Sequence, residues 1–217
     1  MAITELVFPK IKTDQASLEE IERGWPEFSK ILTTPNPGAL CAFRGWILTE
    51  DGRDVREEHR EFLLFEWEKL ESFQAFVISD QFKAFAGSIR HLVYGPPSLQ
   101  LFETNLSPKD AVSASTIEIF RVTVPSAQAG EAALETWEKV SQKAHETYGD
   151  KVSVTYGKSQ NLDDEVVVGI IGWNDPVGSV PAASGPPVLS NLLESLKTLG
   201  ELSSITVSVD AMELPPL

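Results

Sequence analysis

The stretch that decides the fold runs Phe65-Glu66-Trp67-Glu68-Lys69-Leu70-Glu71-Ser72-Phe73-Gln74-Ala75-Phe76, continues through Ser79-Asp80-Gln81-Phe82, and ends at Gly95-Pro96-Pro97. Glu61 to Trp67 is apolar and aromatic-rich over a strand's length, so it predicts a strand closing on Trp67. After it Phe73, Phe76, Val77, Phe82, Phe85, Ile89 and Leu92 recur at intervals of mostly three and four, the period of a helix with one buried stripe. Ser79-Asp80 predicts a break inside that helix, since both residues favour caps over helix interiors. Tyr94-Gly95-Pro96-Pro97 stops it, and Ser98 to Phe102 reads as the next strand.

Upstream, Leu6 to Ile11 predicts a first strand. Ser17-Leu18-Glu19-Glu20 has the form of a capping box, with Ser17 as N-cap and Glu20 reaching back. Leu18, Ile21, Trp25, Phe28 and Leu32 fall on one helical face, with Pro26 expected to kink or divide it. Residues 39–49 alternate as a strand, Cys41, Phe43, Gly45 and Ile47 on one face and Ala42, Arg44, Trp46 and Leu48 on the other. The first half therefore runs strand, helix, strand, strand, helix, strand.

Downstream, Thr104 to Ser115 is polar, contains Pro108 and has no apolar period, so it reads as a linker. The pattern then restarts. Ile117 to Val124 is a strand; Ala129 to Tyr148 a helix closed by Gly149; Lys151 to Lys158 and Glu165 to Trp173 are strands; Val188 to Leu199 is a helix and Ser204 to Val209 the last strand. Phe8 is taken as the counterpart of Phe120, and Trp67 of Trp173. This points to α+β modules at 1–105 and 116–217 joined by 106–115, the second degenerate over the Gly-, Pro- and Ser-rich stretch 176–187.

Composition narrows the function classes. The chain of 217 residues carries 32 acidic and 18 basic residues, a formal charge of −14. Such an excess repels phosphate backbones and anionic lipid, so neither nucleic acid nor a membrane surface is the expected partner. The N-terminal residues lack the basic and apolar regions of a secretory signal, and no run approaches the ~20 apolar residues of a membrane span. Cys41 is the only cysteine, which excludes an intrachain disulfide and fits a reducing compartment, most simply the cytoplasm. Three scattered histidines and one cysteine make no transition-metal site, so neither a metal nor another cofactor is expected.

The strand ending in Trp67, the helix with Phe73 and Phe76, the Ser79 break before Phe82 and the Gly95-Pro96-Pro97 turn resemble the dimeric α+β barrel superfamily, and most closely its fungal branch described as antibiotic biosynthesis monooxygenase-like. The resemblance covers about 40 residues well and the rest by element order. It implies ferredoxin-like βαββαβ modules whose antiparallel sheets pair to close a barrel with a ligand cavity; here two tandem modules would form a pseudo-dimer within one chain. A four-stranded sheet with helices on one face leaves the other bare, and a second sheet covers it. The superfamily's functions include cofactor-free oxidation of phenols, polyketide cyclisation, decarboxylation and haem breakdown, alongside sensing and structural roles. Cyclase-type members carry a histidine just after the break, where this sequence has Asp80-Gln81-Phe82.

The candidate site residues follow from that frame. If the Cys41 face packs on helices, Arg44 and Trp46 point into the barrel, where Arg44 would hold a carboxylate, enolate or phenolate and Trp46 would stack on the ligand. The alternative is a sheet-edge arginine in an ordinary ion pair. Glu66, one strand over, is its partner or a general base. His91 and Tyr94, three residues apart at the helix end, suit proton transfer at a cavity mouth; equally, His91 can cap the helix and Tyr94 pack in the loop. Arg121, Tyr156 and Lys158 occupy strand positions of the second half, with Tyr156 the best suited to bind an amphipathic ligand. His59 and His145 read as solvated. Catalytic roles thus fall to His91, Tyr94 and Glu66, and substrate binding to Arg44, Trp46 and Tyr156. The expected function is a small cofactor-independent enzyme acting on an apolar oxygenated metabolite, a polyketide or aromatic intermediate, by oxidation, cyclisation or decarboxylation. The alternative is a non-catalytic binding or dimerisation module, and a homodimer stays open.

Overall fold

The computed structural model describes residues 3–174 and 187–214. The period-two runs form strands and the three-to-four runs helices, in the order β1 (Ile3–Phe8), α1 (Gln15–Thr33), β2 (Ala39–Glu50), β3 (Arg53–Asp54), β4 (Glu61–Trp67), α2 (Leu70–Val77), α3 (Asp80–Ile89), β5 (Ser98–Thr104), α4 (Lys109–Val112), β6 (Thr116–Val124), α5 (Ala127–Tyr148), β7 (Val152–Ser159), β8 (Glu165–Trp173), α6 (Pro187–Leu196) and β9 (Glu201–Ala211). The Ser79 break is present: its side chain accepts from the Phe82 amide at 3.1 Å and starts α3. The stretch 176–187, apart from Pro187, lies outside the described residues.

All strand pairs are antiparallel, and the sheet closes on itself. The order is β2-β4-β1-β5-β7-β8-β6-β9, and β9 pairs back onto β2; the two-residue β3 only extends the rim of β2. Each half contributes its strands in the same spatial order: second, third, first, fourth. The halves meet at two unequal seams. Between β2 and β9 the pairing runs from Phe43↔Ala211 to Glu50↔Ile205, whereas β5 and β7 pair only from Phe102↔Ser159 to Thr104↔Gly157. Beyond that short seam Asn161 takes the place of a strand, its side-chain oxygen accepting from the Leu101 amide at 2.8 Å and its amide donating to the Leu99 carbonyl at 2.9 Å.

Alternation along the strands then divides the apolar residues between the barrel interior and its outer face. Leu6, Phe43, Ile47, Phe62, Leu64 and Phe102 from the first half meet Ile117, Ile119, Val168 and Ile170 from the second inside the barrel, all nearly inaccessible. At about 1.5–3 kcal/mol for each fully buried side chain, this is the main apolar core. Two loops plug the ends. Val55 enters from the turn after β3, and α4 inserts Ala111 and Val112. The segment expected to be a plain linker is therefore part of the core. Gly172 is required beneath it, since a Cβ there would lie 2.0 Å from the Ala111 carbonyl oxygen.

The expectation of a ligand cavity inside the barrel is overturned, because side chains from both halves fill that space. The face assignment of β2 reverses with it: Cys41, Phe43 and Ile47 point inward, while Ala42, Arg44 and Trp46 face the helices. Smaller points follow. Asp14, not Ser17, caps α1, accepting from the Ser17 amide at 3.1 Å and hydroxyl at 2.7 Å, and Glu20 reaches His91 instead of its own helix end. Pro26 lies inside α1 without dividing it. Ile3 faces Trp67 across the ladder as Thr116 faces Trp173, so the counterpart of Phe120 is Val7, one residue before Phe8.

Among the described residues no helix is long and apolar enough to cross a membrane.

Candidate functional site

The outer faces of the two half-sheets are covered differently. Over β6–β8, α5 buries Ala133, Trp137, Val140 and Ala144, and α6 adds Leu189, Leu193 and Leu196. Trp137 lies so close to the sheet that a Cβ on Gly169 would stand 2.2 Å from its ring. Over β1, β4 and β5 the cover is looser. Neither α2 nor α3 contains a buried residue, and Phe73, Phe76, Phe82 and Phe85 are all only half-buried. The Ser79 break splits what would be one long helix into two short ones, Leu70–Val77 and Asp80–Ile89.

The result is a cavity of about 620 Å³ between sheet and helices in the first half. Val7, Leu63, Phe65 and Leu99 form its floor, and Ile21, Trp25, Phe28 and Leu32 of α1 one wall. The other wall is a ladder of rings in tilted and edge-to-face contact, Phe76 to Phe82 at 5.4 Å and Phe82 to Phe85 at 6.3 Å between centroids. A volume of that order suits a small apolar molecule.

Two buried carboxyls line this cavity, Glu61, which is paired with Arg44, and Glu5, which has no ion-pair partner among the described residues. Glu5 is 4% exposed, and its Oε2 accepts from the indole Nε1 of Trp67 at 2.8 Å. Burial pushes its carboxyl up to about 7, the Trp67 hydrogen bond offsetting part of the rise. Glu5 therefore exchanges its proton near neutrality, as a general acid or base must. The same pair recurs in the second half, where Trp173 donates to Glu118 at 2.8 Å. Sequence reasoning missed Glu5 because it started the first strand at Leu6. The signal was an acidic residue inside an apolar strand at the equivalent place in both halves.

The proposed site residues do not converge. Arg44 pairs with Glu61, which lines the cavity, and with Glu22 at 2.6 Å, its guanidinium 3.9 Å above the Trp25 ring. Its charge is thus taken by two carboxylates. Burial pushes the Glu61 carboxyl upward against the pull of Arg44. Trp46 joins Arg44 and Trp25 along a second, more polar groove of about 880 Å³ between α1 and β9. Glu66 is not the partner of Arg44: it lies on the opposite, barrel-facing side of β4, accepting from the Ser107 hydroxyl at 2.6 Å and the Cys41 thiol at 3.4 Å. His91 is turned outward, its side chain 58% exposed and 2.8 Å from Glu20. Tyr94, 74% exposed, stands at the cavity rim. Tyr156 packs against the core under α5, far along the chain from the others. Arg121 lies over the Phe8 ring, Lys158 pairs with Glu165, and His59 stands edge-on to Trp46. Among the described residues no group of three or more His, Cys, Asp or Glu is arranged to hold a metal ion.

Comparison with known proteins bears on the architecture. No protein-family model matches the sequence, and no curated protein does either. Among solved structures, an anthrone oxidase-like protein aligns over 100% of this chain and 97% of its own, with a TM-score of 0.66 and 14% identity. A Fusobacterium nucleatum protein provisionally assigned as a monooxygenase aligns over 100% and 96%, with a TM-score of 0.63 and 12% identity. A Lactobacillus acidophilus protein with the same provisional assignment aligns over 100% and 98%, at 0.62 and 9%. The likeness is one of fold. What is shared is a closed antiparallel barrel with flanking helices.

Proposed function

We propose that the chain is an enzyme that moves a proton on an apolar, oxygenated metabolite of the aromatic or polyketide class, working without a cofactor in the first-half cavity. The observation that carries this is Glu5, a buried carboxyl poised near neutrality in the floor of an apolar cavity and oriented by Trp67. Its carboxylate would take a proton from an enolisable C–H or a phenol O–H, and its acid form would return one. The three solved structures support the reading as analogy of fold. In this reading residues 1–105 and 116–217 are tandem modules that make an internal pseudo-dimer, supported by the shared strand order and the repeated Glu–Trp pair, and the second module serves as the closed, stabilising half. That Cys41 is the chain's single cysteine, buried and free, supports a reducing, cytoplasmic setting.

A second reading, a ligand-binding module without chemistry, is favoured by the predominance of apolar and aromatic side chains in the lining. One experiment separates the two. Hydrogen–deuterium exchange at the activated carbon of anthrone is followed in D₂O with the wild type, Glu5→Gln and Glu118→Gln. Catalysis by Glu5 predicts exchange accelerated by the wild type and by Glu118→Gln, with a loss of about 10²–10⁴-fold in Glu5→Gln. Binding of anthrone without accelerated exchange overturns the enzymatic reading and leaves the binding module.

A further inference from the structure

The cavity has a polar end as well as a buried one. Glu5 sits at the enclosed end, beside Trp67 and Phe73. Lys10, Arg90 and Tyr94, all exposed, belong to the same lining, and Lys10 lies five positions further along the chain, opposite Tyr94. This rim is held in place by backbone pairing: Ile11 bridges Val93, the Tyr94 amide donates to the Lys10 carbonyl at 2.7 Å, and the Lys12 amide to the Leu92 carbonyl at 2.8 Å. Neither Lys10 nor Arg90 has an ion-pair partner among the described residues, although the chain carries a net charge of −14 and the nearby Glu20 is engaged by His91. In a protein with so many carboxylates, two unpaired cations at one cavity mouth form a local site for a negative charge.

Resting on the cavity reading above, we infer that the natural ligand is an elongated aromatic or polyketide acid, its carboxylate held at the rim by Lys10 and Arg90 and its reactive end lying beside Glu5. Five residues of chain separate the two ends, roughly 16 Å at about 3.3 Å per residue of extended chain. A ligand of that length places an anion at the rim without bringing it near the Glu5 carboxyl, where a second negative charge would be repelled. Between the ends the lining is apolar except for Glu61, which is held by Arg44, so it accepts the hydrocarbon middle and disfavours polar substituents, which would be buried there without partners. The rim therefore selects for an acid and fixes which end of it enters first.

The test uses three matched compounds, 6-(2-naphthyl)hexanoic acid, its primary amide and the corresponding amine, titrated by naphthyl fluorescence against the full chain. Expected is a preference for the acid over the amide of about three- to tenfold, the sum of two solvent-exposed charge contacts. The amine should bind more weakly than the amide. In the Lys10→Gln/Arg90→Gln double variant the acid should fall to the affinity of the amide, while the amide binds as before. Salt at 0.5 M should erase the preference in the wild type. Equal binding of acid and amide by the wild type overturns the rim assignment and leaves the cavity reading standing. Binding of none of the three overturns both.

Discussion

The indole of Trp67 donates to Glu5 at 2.8 Å across the β1–β4 ladder, and the indole of Trp173 donates to Glu118 at the same distance across β6–β8. The pair is one structural unit used twice. What differs is the layer above it, open in the first half and filled in the second.

The titration of Glu5 has a consequence for stability. Its carboxyl is raised from the usual 4.5 to about 7 on folding. Between those values the folded protein holds a proton that the unfolded chain has released, so this contribution falls as pH rises through the window. Over the whole window the loss is about 3 kcal/mol. Glu5→Gln keeps an acceptor for Trp67 and removes the titration. Relative to wild type, the variant should gain stability from pH 5 to pH 8 by most of that amount. Urea denaturation at both pH values measures it, and parallel curves for the two proteins would count against the assignment.

Trp67→Phe removes the donor that favours the ionised form of Glu5. The Glu5 midpoint should move above 7, followed by the side-chain carboxyl ¹³C resonance against pH. Trp173→Phe should leave that midpoint unchanged.

Arg44→Met strands Glu61, 5% exposed, without its counter-charge. Breaking a buried pair on one side costs about 3–5 kcal/mol, whereas replacing both partners by apolar groups is close to neutral. The double variant Arg44→Met/Glu61→Leu should therefore recover most of the lost stability. A ligand-binding role for Arg44 predicts instead that the double variant, though stable, has lost affinity for acids.

Val7→Phe gives the first half the ring that the second has at Phe120, which lies 5.8 Å from Trp137. Val7 lines the cavity, so the added volume has space to enter, and the 1–3 kcal/mol typical of overpacking should not appear. Expected are an unchanged or higher melting temperature and at least tenfold weaker binding of naphthyl ligands. Gly169→Ala, against the Trp137 ring, should show that cost in full.

The order of the longer elements was legible because each is regular in its period, whereas the two-residue β3 and the four-residue α4 are too short to show one. The Ser79 break, Glu61–Trp67 and Glu165–Trp173 stand where the pattern put them. The inward face of β2 was not legible. Both of its faces are covered in a barrel, so alternation along residues 39–49 separates two sets without saying which meets the helices. Arg44 misled for the same reason: its partner Glu61 arrives from β4, a relationship no spacing within β2 reveals. The pairing of His91 with Tyr94 assumed a helix continuing past Ile89, but the chain there becomes a 3-10 turn and then the Ile11–Val93 bridge, which sends His91 toward Glu20.

The pairing of β9 with β2 joins residues 201–211 to residues 39–50 and makes the ring from a single chain. Closure is therefore an intramolecular event, and dilution cannot open it. A barrel built from two identical chains must accept every substitution twice, once on each side. Here a change in the packed half leaves the open half untouched, so stability and ligand preference are free to be tuned on opposite sides of the same sheet.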